Sequence, residues 1–216
     1  MVCSGVAAPD LPARLDRAIV SHALDGLGRN HLLLHAGMVA WCGRGLMLPA
    51  PSGSGKTTLV AGLLRAGLDY VTDEVVVVDR ASSRALPFAR SLCLKAGGRR
   101  ALQDRYPEIE NSKVYPSFGP EPVSFMTPRR SDWIAAPVPV TTIVFPRFVP
   151  GAPTTLVGIS RTEAFERLLG QVFNLTSHTG DRLAQLIDLI SGAECYRLIT
   201  GNLDESVELI ERTMQE

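Results

Sequence analysis

The chain has 216 residues with 22 basic and 22 acidic side chains, so its formal net charge is zero. This length suits one sizeable α/β domain, and the balanced charge gives no electrostatic reason to expect nucleic acid as a partner. Because the sequence shows neither a signal peptide nor an apolar run of the ~20 residues that a membrane helix needs, we expect a cytoplasmic protein without a membrane partner.

A helix and two strands are predicted near the N-terminus. Apolar residues from Leu11 to Leu24 recur at helical spacing, and two glycines end the run, so residues 1–30 predict an N-terminal helix. Residues 31–42 and 46–50 are apolar runs that predict strands, joined by a Gly-Arg-Gly turn.

A second helix and a β-rich run follow. Residues 56–66 predict a helix, and Gly67 suits its C′ position. The run "YVTDEVVVVDR", residues 70–80, predicts strand structure with two carboxylates in its middle. Residues 31–80 therefore predict the strand–loop–helix–strand core of a nucleotide-binding α/β fold, a mixed sheet with flanking helices.

The second half of the chain differs from the first in its proline content and its secondary-structure pattern. Residues 81–155 are rich in proline and contain short strand patterns, which we interpret as extra strands and loops that extend the sheet. Residues 156–216 predict C-terminal helices, with capping signals at Ser160 and Asn202 and one strand, "CYRLI", between them. We interpret residues 1–216 as a single domain.

The four cysteines predict neither a zinc site nor a disulfide framework. They are far apart and form no C-x-x-C pair. Cys42 and Cys195 have apolar neighbours, so we predict that both are small core residues.

The stretch "LMLPAPSGSGKTTLVAGLL", residues 46–64, predicts a phosphate-binding loop between a strand and a helix. It departs from the pattern G-x-x-x-x-G-K-[ST] only in Ala50, which stands at the first glycine position. We call residues 50–55 the Gly-Ser loop. The residues predicted to bind the nucleotide are Ser52, Gly53, Ser54, Gly55, Lys56, Thr57 and Thr58.

Each of these residue types has a physical role beside ATP and Mg²⁺. Gly53 and Gly55 let the backbone adopt conformations that a Cβ would obstruct, and the following helix offers its N-terminal N–H groups. Lys56 can reach the β- and γ-phosphates, and the Thr57 hydroxyl can join the Mg²⁺ shell. Thr58 lies one position further into the helix and is the weaker candidate.

Asp73 and Glu74 are the candidate acids of the same site. One carboxylate can bind Mg²⁺ while its neighbour accepts a proton from an attacking hydroxyl. Adjacent residues on a strand point to opposite faces, so both can act only if the strand ends or bulges there. Because they interrupt a Val-rich run, we favour a functional pair over an exposed acidic turn; Asp79 is predicted as a turn residue.

The block from residue 32 to 78 resembles the HPr serine kinase/phosphorylase family and, more distantly, the phosphoenolpyruvate carboxykinases. The resemblance implies a phosphate-loop core of HPr kinase type, with Lys56 and Thr57 in the loop roles and Asp73 as the proton-shuttling catalytic acid. It also implies that Glu74 lies beside the metal, where the family usually has Asp. His35 corresponds to the active-site His; taken alone, it would more often be a core residue.

The resemblance further implies an acceptor and a homo-oligomer. The segments "LPFARSLCLK" and "VFPRFVPGA" resemble shorter HPr-kinase-related proteins, some of which modify precursors of ribosomal natural products. We therefore expect a kinase for a Ser hydroxyl of a peptide or protein. A small-molecule alcohol kinase and a non-catalytic nucleotide-binding regulator remain the alternatives, and the absence of N-K-x-D counts against a GTPase switch.

Further side chains are candidates to complete the site. Phosphoryl transfer spreads negative charge that a cation can stabilise, and Arg90, Lys95 and Arg147 are the candidate cations. We expect His35 to pair with Asp73 and tune its pKa. His178 is predicted as a loop or capping residue.

Overall fold

The computed structural model describes residues 9–28, 30–117, 119–175 and 179–215. His178 lies outside the described residues. In this part of the chain the helices are α1 (Leu11–Leu27), α2 (Lys56–Arg65), α3 (Ala96–Leu102), α4 (Arg161–Leu169), α5 (Thr179–Ser191) and α6 (Leu203–Gln215). The strands are β1 (His31–Leu34), β2 (Ala36–Trp41), β3 (Arg44–Pro49), β4 (Asp69–Thr72), β5 (Val76–Asp79), β6 (Arg84–Leu86), β7 (Leu92–Lys95), β8 (Val123–Met126), β9 (Val138–Phe148), β10 (Thr155–Gly158) and β11 (Glu194–Thr200).

Nine of the described strands form one large mixed sheet. Its main path is β1-β5-β6-β9-β3-β2-β4, and β11 pairs with β9 and with β10. The pairs β3–β9 and β9–β11 are parallel, whereas the other pairs in the sheet are antiparallel. The predicted mixed sheet with flanking helices is therefore confirmed as a mixed α/β architecture.

The segment that contains β1 and β2 pairs with the segment that contains β4 and β5 in an antiparallel ladder with a gap. The pairs Leu34–Val76 and Met38–Thr72 belong to the same register, yet the residues between them on both segments leave the ladder. His35 separates β1 from β2, and residues 73–75 separate β4 from β5. This gap brings His35 and Gly37 opposite the two acids, where the chain passes from the β1–β5 pair to the β2–β4 pair.

Helices cover the sheet through separate apolar clusters. Leu59, Val60 and Leu63 of α2 are buried in one cluster with Val207 and Ile210 of α6. On the other face, α4 and α5 contribute Ala164, Leu168, Leu186, Leu189 and Ile190. Helix α1 packs Val20, Leu24 and Leu27 against Leu33, Val75 and Val77. The sheet is therefore buried between helices, and α1 lies over β1, β5 and Val75 of the segment between β4 and β5.

Local signals predicted several element boundaries correctly. Helix α1 lies within the segment where the N-terminal helix was predicted and covers Leu11–Leu27, and Gly67 follows the C-cap of α2 with a φ of +101°. Ser160 Oγ accepts a hydrogen bond from the Glu163 amide at 3.2 Å, and Asn202 Oδ1 accepts from the Asp204 amide at 2.8 Å. None of the helices in the described residues has the length and apolarity to cross a membrane.

Other expectations are corrected by long-range pairing. The predicted strand 31–42 is two strands, because His35 donates its backbone N–H to the Gln171 carbonyl at 2.7 Å instead of joining the ladder. Strands β7 and β8 pair only with each other among the described strands and do not extend the large sheet. Cys195 is buried as predicted, but Cys42 is exposed beside the tight turn between β2 and β3.

Candidate active site

The Gly-Ser loop connects the end of β3 to the first residue of α2. Gly53 and Gly55 have φ values of +87° and +89°, in the left-handed region that favours glycine. The Ser54 hydroxyl donates to the Pro51 carbonyl at 2.7 Å, and the Phe148 amide donates to the Ser54 carbonyl at 3.1 Å. No side chain caps α2, so the N–H groups of its first turn are available to an anion.

Lys56 carries a buried ammonium group at the start of α2. Its side chain is 5% exposed, and Nζ lies 3.8 Å from Glu74 Oε2 without a hydrogen-bond partner among the described residues. Burial lowers the pKa of Lys56, and the nearby charges of Glu74 and Asp73 oppose that shift. An ammonium with three unused donors is suited to bind phosphate oxygens.

Thr57 and Asp73 connect the loop side of the site to the acids. The Thr57 hydroxyl donates to Asp73 Oδ2 at 3.0 Å, while Asp73 Oδ1 is buried without a partner among the described residues. Asp73 is 1% exposed, and this burial raises its pKa, although Lys56 offsets part of the shift. A buried carboxylate oxygen without a donor is costly, and a bound cation would satisfy it.

Glu74 lies at the break between β4 and β5 in an unusual conformation for a side-chain-bearing residue. Its φ is +84°, and the Thr72 hydroxyl closes the same turn by donating to the Val75 carbonyl at 2.9 Å. Burial favours the neutral carboxyl, but His35 and Lys56 outweigh burial and lower the pKa of Glu74 to about 2. Glu74 is 41% exposed at its side chain, so unlike Asp73 it is open to solvent.

His35 faces Glu74, whereas we expected it to face Asp73. Its Nε2 lies 3.2 Å from Glu74 Oε1 but makes no well-aligned hydrogen bond with a described residue. The imidazole also lies 5.6 Å from the Phe173 ring at an interplanar angle of 46°. The side chain is 17% exposed, so it is a partly buried neighbour of the acid pair.

The candidate cations lie at different places. Lys95 Nζ donates to the Ser52 hydroxyl at 3.0 Å, on the outer side of the Gly-Ser loop. Arg90 is mostly buried and pairs with Asp16 of α1. Arg147 is exposed near the end of β9. Lys95 and Arg90 therefore approach the candidate site, and Arg147, although exposed, directly precedes Phe148, whose amide donates to the Ser54 carbonyl of the Gly-Ser loop.

Thr58 lies at the outer edge of the predicted nucleotide-binding set. It faces α3, where a Cβ placed on Gly98 would come within 2.9 Å of Thr58 Oγ1. This contact gives Thr58 a packing role on α3, whereas Thr57 faces Asp73.

The residues at the candidate site are suited to bind a nucleoside triphosphate together with Mg²⁺. Two left-handed glycines, the uncapped start of α2 and the ammonium of Lys56, which has no hydrogen-bond partner among the described residues, form a cradle for anionic oxygens. The described residues contain no cluster of three or more His, Cys, Asp or Glu suited to a metal. Mg²⁺ needs no such cluster, since it is commonly bound by one or two carboxylates together with substrate phosphates and water.

Sequence reasoning missed residues that the fold brings to the site from a distance. A Cβ on Gly37 would meet Val60 Cγ2 at 2.6 Å and Asp73 Oδ1 at 3.3 Å, so glycine is required opposite the acid. The Phe173 ring packs against His35 at a tilted angle, and Asp16 pairs with Arg90. A glycine inside a predicted strand is a signal for close backbone approach, but Phe173 and Asp16 carry no local signal.

Comparisons with known proteins give a distant structural similarity. No family model matches the sequence, and no curated protein matches it. Among solved structures, the chain is similar to the HPr(Ser) kinase/phosphatase from Coxiella burnetii, with a TM-score of 0.38 and 10% sequence identity. The similarity covers 84% of this chain and 92% of that chain.

Proposed function

We propose that this protein is an ATP- and Mg²⁺-dependent kinase that transfers the γ-phosphate to a hydroxyl, most simply a Ser of a peptide or protein. The observation that carries the proposal is the convergence of the Gly-Ser loop and the acid pair, joined by the 3.0 Å Thr57–Asp73 hydrogen bond. A phosphate cradle that faces two carboxylates, one buried and one exposed, has the parts that phosphoryl transfer needs.

In the proposed complex, Gly53, Gly55 and Lys56 hold the phosphates. Bound Mg²⁺ would neutralise charge on the phosphate oxygens, and the Thr57 hydroxyl with one carboxylate would hold it. The other carboxylate orients the acceptor hydroxyl and receives its proton. A precursor peptide of a ribosomal natural product is one acceptor of this class.

The roles of the two acids can be assigned in two ways. The sequence prediction makes Asp73 the proton acceptor and Glu74 the metal ligand. The Thr57–Asp73 contact and the exposure of Glu74 favour the reverse, because the loop hydroxyl and a buried acid commonly share Mg²⁺. In that assignment His35 orients Glu74 toward the acceptor.

Transfer of label from γ-labelled ATP tests the proposal. Wild type, Asp73→Asn, Glu74→Gln and the control Asp79→Asn are compared with Ser-containing peptides and small alcohols as acceptors. Asp79 is a matched control because it lies on the same segment but interacts with Ser82 at a surface turn. We expect both active-site variants to lose activity by about 100-fold or more and the control to keep it.

A Mg²⁺ titration separates the two assignments. Loss of the metal ligand raises the Mg²⁺ concentration needed for half-maximal activity, whereas loss of the proton acceptor lowers kcat at every Mg²⁺ concentration. Undiminished transfer in both variants would exclude these acids from the reaction. Tight nucleotide binding without transfer to any acceptor would favour the nucleotide-binding regulator.

A further inference from the structure

Arg90 is brought to the acid pair by the segment that follows β6. Phe88 forms a parallel bridge with Thr72, and its amide donates to the Val71 carbonyl at 3.1 Å. The Tyr70 hydroxyl donates to the Arg90 carbonyl at 2.8 Å. Residues 88–90 therefore run beside β4 in the same direction and reach the level at which β4 gives way to Asp73 and Glu74.

The Arg90 side chain is buried with incomplete hydrogen bonding. It is 11% exposed, and one terminal nitrogen, Nη2, pairs with Asp16 Oδ2 of α1. Its Nε is buried and has no hydrogen-bond partner among the described residues. A guanidinium has five N–H donors, so the contact with Asp16 leaves donor capacity unused.

The charges around Arg90 are those of the candidate site. Burial opposes its charged form, but Asp16, Asp73 and Glu74 outweigh burial and raise the pKa of Arg90. Arg90 in turn acts electrostatically on Lys56 and on both acids. Two largely buried cations therefore act electrostatically on the acid pair, Lys56 from the start of α2 and Arg90 from the segment beside β4.

We propose that Arg90 binds the γ-phosphate of the nucleotide and that Asp16 is its positioning residue. This inference rests on the proposed function, since it names a second cation for the same site. A guanidinium held in place before the reaction stabilises transferring charge without reorganisation, which exposed Lys95 cannot match. The N-terminal helix thereby becomes part of the site, although its apolar contacts alone would make it a cover for the sheet.

Comparison of two nucleotides tests the inference without an acceptor. Calorimetry measures the binding of ADP and of the non-hydrolysable ATP analogue AMP-PNP, both with Mg²⁺, to wild type and Arg90→Gln. Because hydrogen bonds to charged groups are strong, we expect Arg90→Gln to weaken AMP-PNP binding about 10- to 100-fold and ADP binding less than about twofold. The control is Arg80→Gln, which breaks the exposed Arg80–Asp181 pair and should change neither affinity.

An exchange of charges separates positioning from mere attachment of α1. Asp16→Asn should weaken AMP-PNP binding several-fold, because Arg90 keeps its charge but loses its fixed orientation. The double variant Asp16→Arg with Arg90→Asp reverses the ion pair but adds a third carboxylate to the environment of Asp73 and Glu74, so we expect it to recover neither thermal stability nor AMP-PNP binding, whereas mere attachment of α1 would restore both. If Arg90→Gln does not fold, Arg90→Lys keeps the charge and should show a smaller loss that is still specific to AMP-PNP.

The results distinguish this inference from the proposed function. Equal effects on ADP and AMP-PNP, or recovery of AMP-PNP binding in the exchanged pair, would overturn the role of Arg90. If the wild type binds AMP-PNP more tightly than ADP through Arg90 but transfers no phosphate, the proposed kinase activity is wrong and the proposed contact of Arg90 with the γ-phosphate is supported. Wild type that binds neither nucleotide would overturn both.

Discussion

The Gly-Ser loop and the acidic turn, residues 73–75, face each other across the candidate site and use the same backbone region in different ways. The loop adopts left-handed conformations at Gly53 and Gly55, where no side chain resists them. The turn adopts one at Glu74, where a Cβ is present. The loop is therefore built from residues that permit its shape, whereas the turn is held in its shape by the surrounding sheet.

This difference shows where the fold gives up stability for the site. A non-glycine residue in the left-handed region costs about 1 to 2 kcal/mol, and the buried Asp73 carboxylate adds a desolvation cost. Both costs fall on two adjacent residues, Asp73 and Glu74. The Thr72–Val75 hydrogen bond and the strand pairs on either side of the gap hold these residues in place. Clustered strain and burial of this kind are typical of functional sites.

The largest expected effect comes from adding a Cβ to the loop. Gly55→Ala forces alanine to a φ of +89° at the start of α2, and we expect nucleotide affinity to fall about 10- to 100-fold as the cradle distorts. Gly67→Ala is the matched control, because it strains the other end of α2 at +101° with no atom within 4 Å of the added Cβ. Calorimetry with Mg²⁺ and ATP measures both variants.

Gly67→Ala should lose stability by about 1 kcal/mol but keep its nucleotide affinity. Equal losses of affinity in the two glycine variants would mean that Gly55 acts through the stability of α2 and not through the loop. Thermal unfolding of both variants without nucleotide provides the stability measurement.

On the acidic turn, Asp73→Asn should stabilise the nucleotide-free protein. Since burial raises the folded pKa of Asp73, its favourable contribution is present below the ordinary pKa of about 4 and is lost as pH rises through the folded value. At pH 7 we expect Asn to increase the free energy of unfolding while activity falls. Urea unfolding at pH 7 and pH 4 measures the change, and a less stable Asn variant at pH 7 would contradict it.

The backbone cost at Glu74 can be isolated with two variants that both remove the carboxylate. Glu74→Gly permits the φ of +84°, whereas Glu74→Ala does not. We expect the Gly variant to be more stable than the Ala variant by about 1 kcal/mol, although glycine ordinarily lowers stability. If Ala is the more stable of the two, the turn relaxes without cost and the strain argument fails.

The fold was predictable where its causes are local. The apolar spacing of α1, Gly67 after α2 and the Ser160 cap each act within a few residues, and each was predicted from the sequence. The break at His35 was not predictable, because it depends on the Gln171 carbonyl far along the chain. The pairing of β7 with β8 likewise depends on partners about thirty residues apart.

The candidate site divides in the same way. The Gly-Ser loop carries its own signal, and the adjacent acids are visible because they interrupt a run of valines. The contacts of those acids could not be predicted from the sequence. They depend on the left-handed backbone conformation at Glu74, with which Asp73 contacts Thr57 while Glu74 contacts His35. Asp16 was missed because its role depends on packing α1 beside residues 88–90.

The smallest expected effect concerns the neighbouring acid, Glu74, where removal of the charge should lower the stability of the protein instead of raising it. His35 and Lys56 lower the pKa of Glu74 to about 2, so its stabilising contribution is present above its ordinary pKa of 4.5 and is lost as pH falls toward 2. Because the side chain is 41% exposed, screening limits the loss in Glu74→Gln at pH 7 to a few tenths of a kcal/mol. Urea unfolding between pH 7 and pH 3 should show this small loss shrinking with acid, and 1 M salt should reduce it further. If Glu74→Gln and Asp73→Asn instead change stability in the same direction at pH 7, the two acids share one environment, and the division into a buried acid and an exposed acid is wrong.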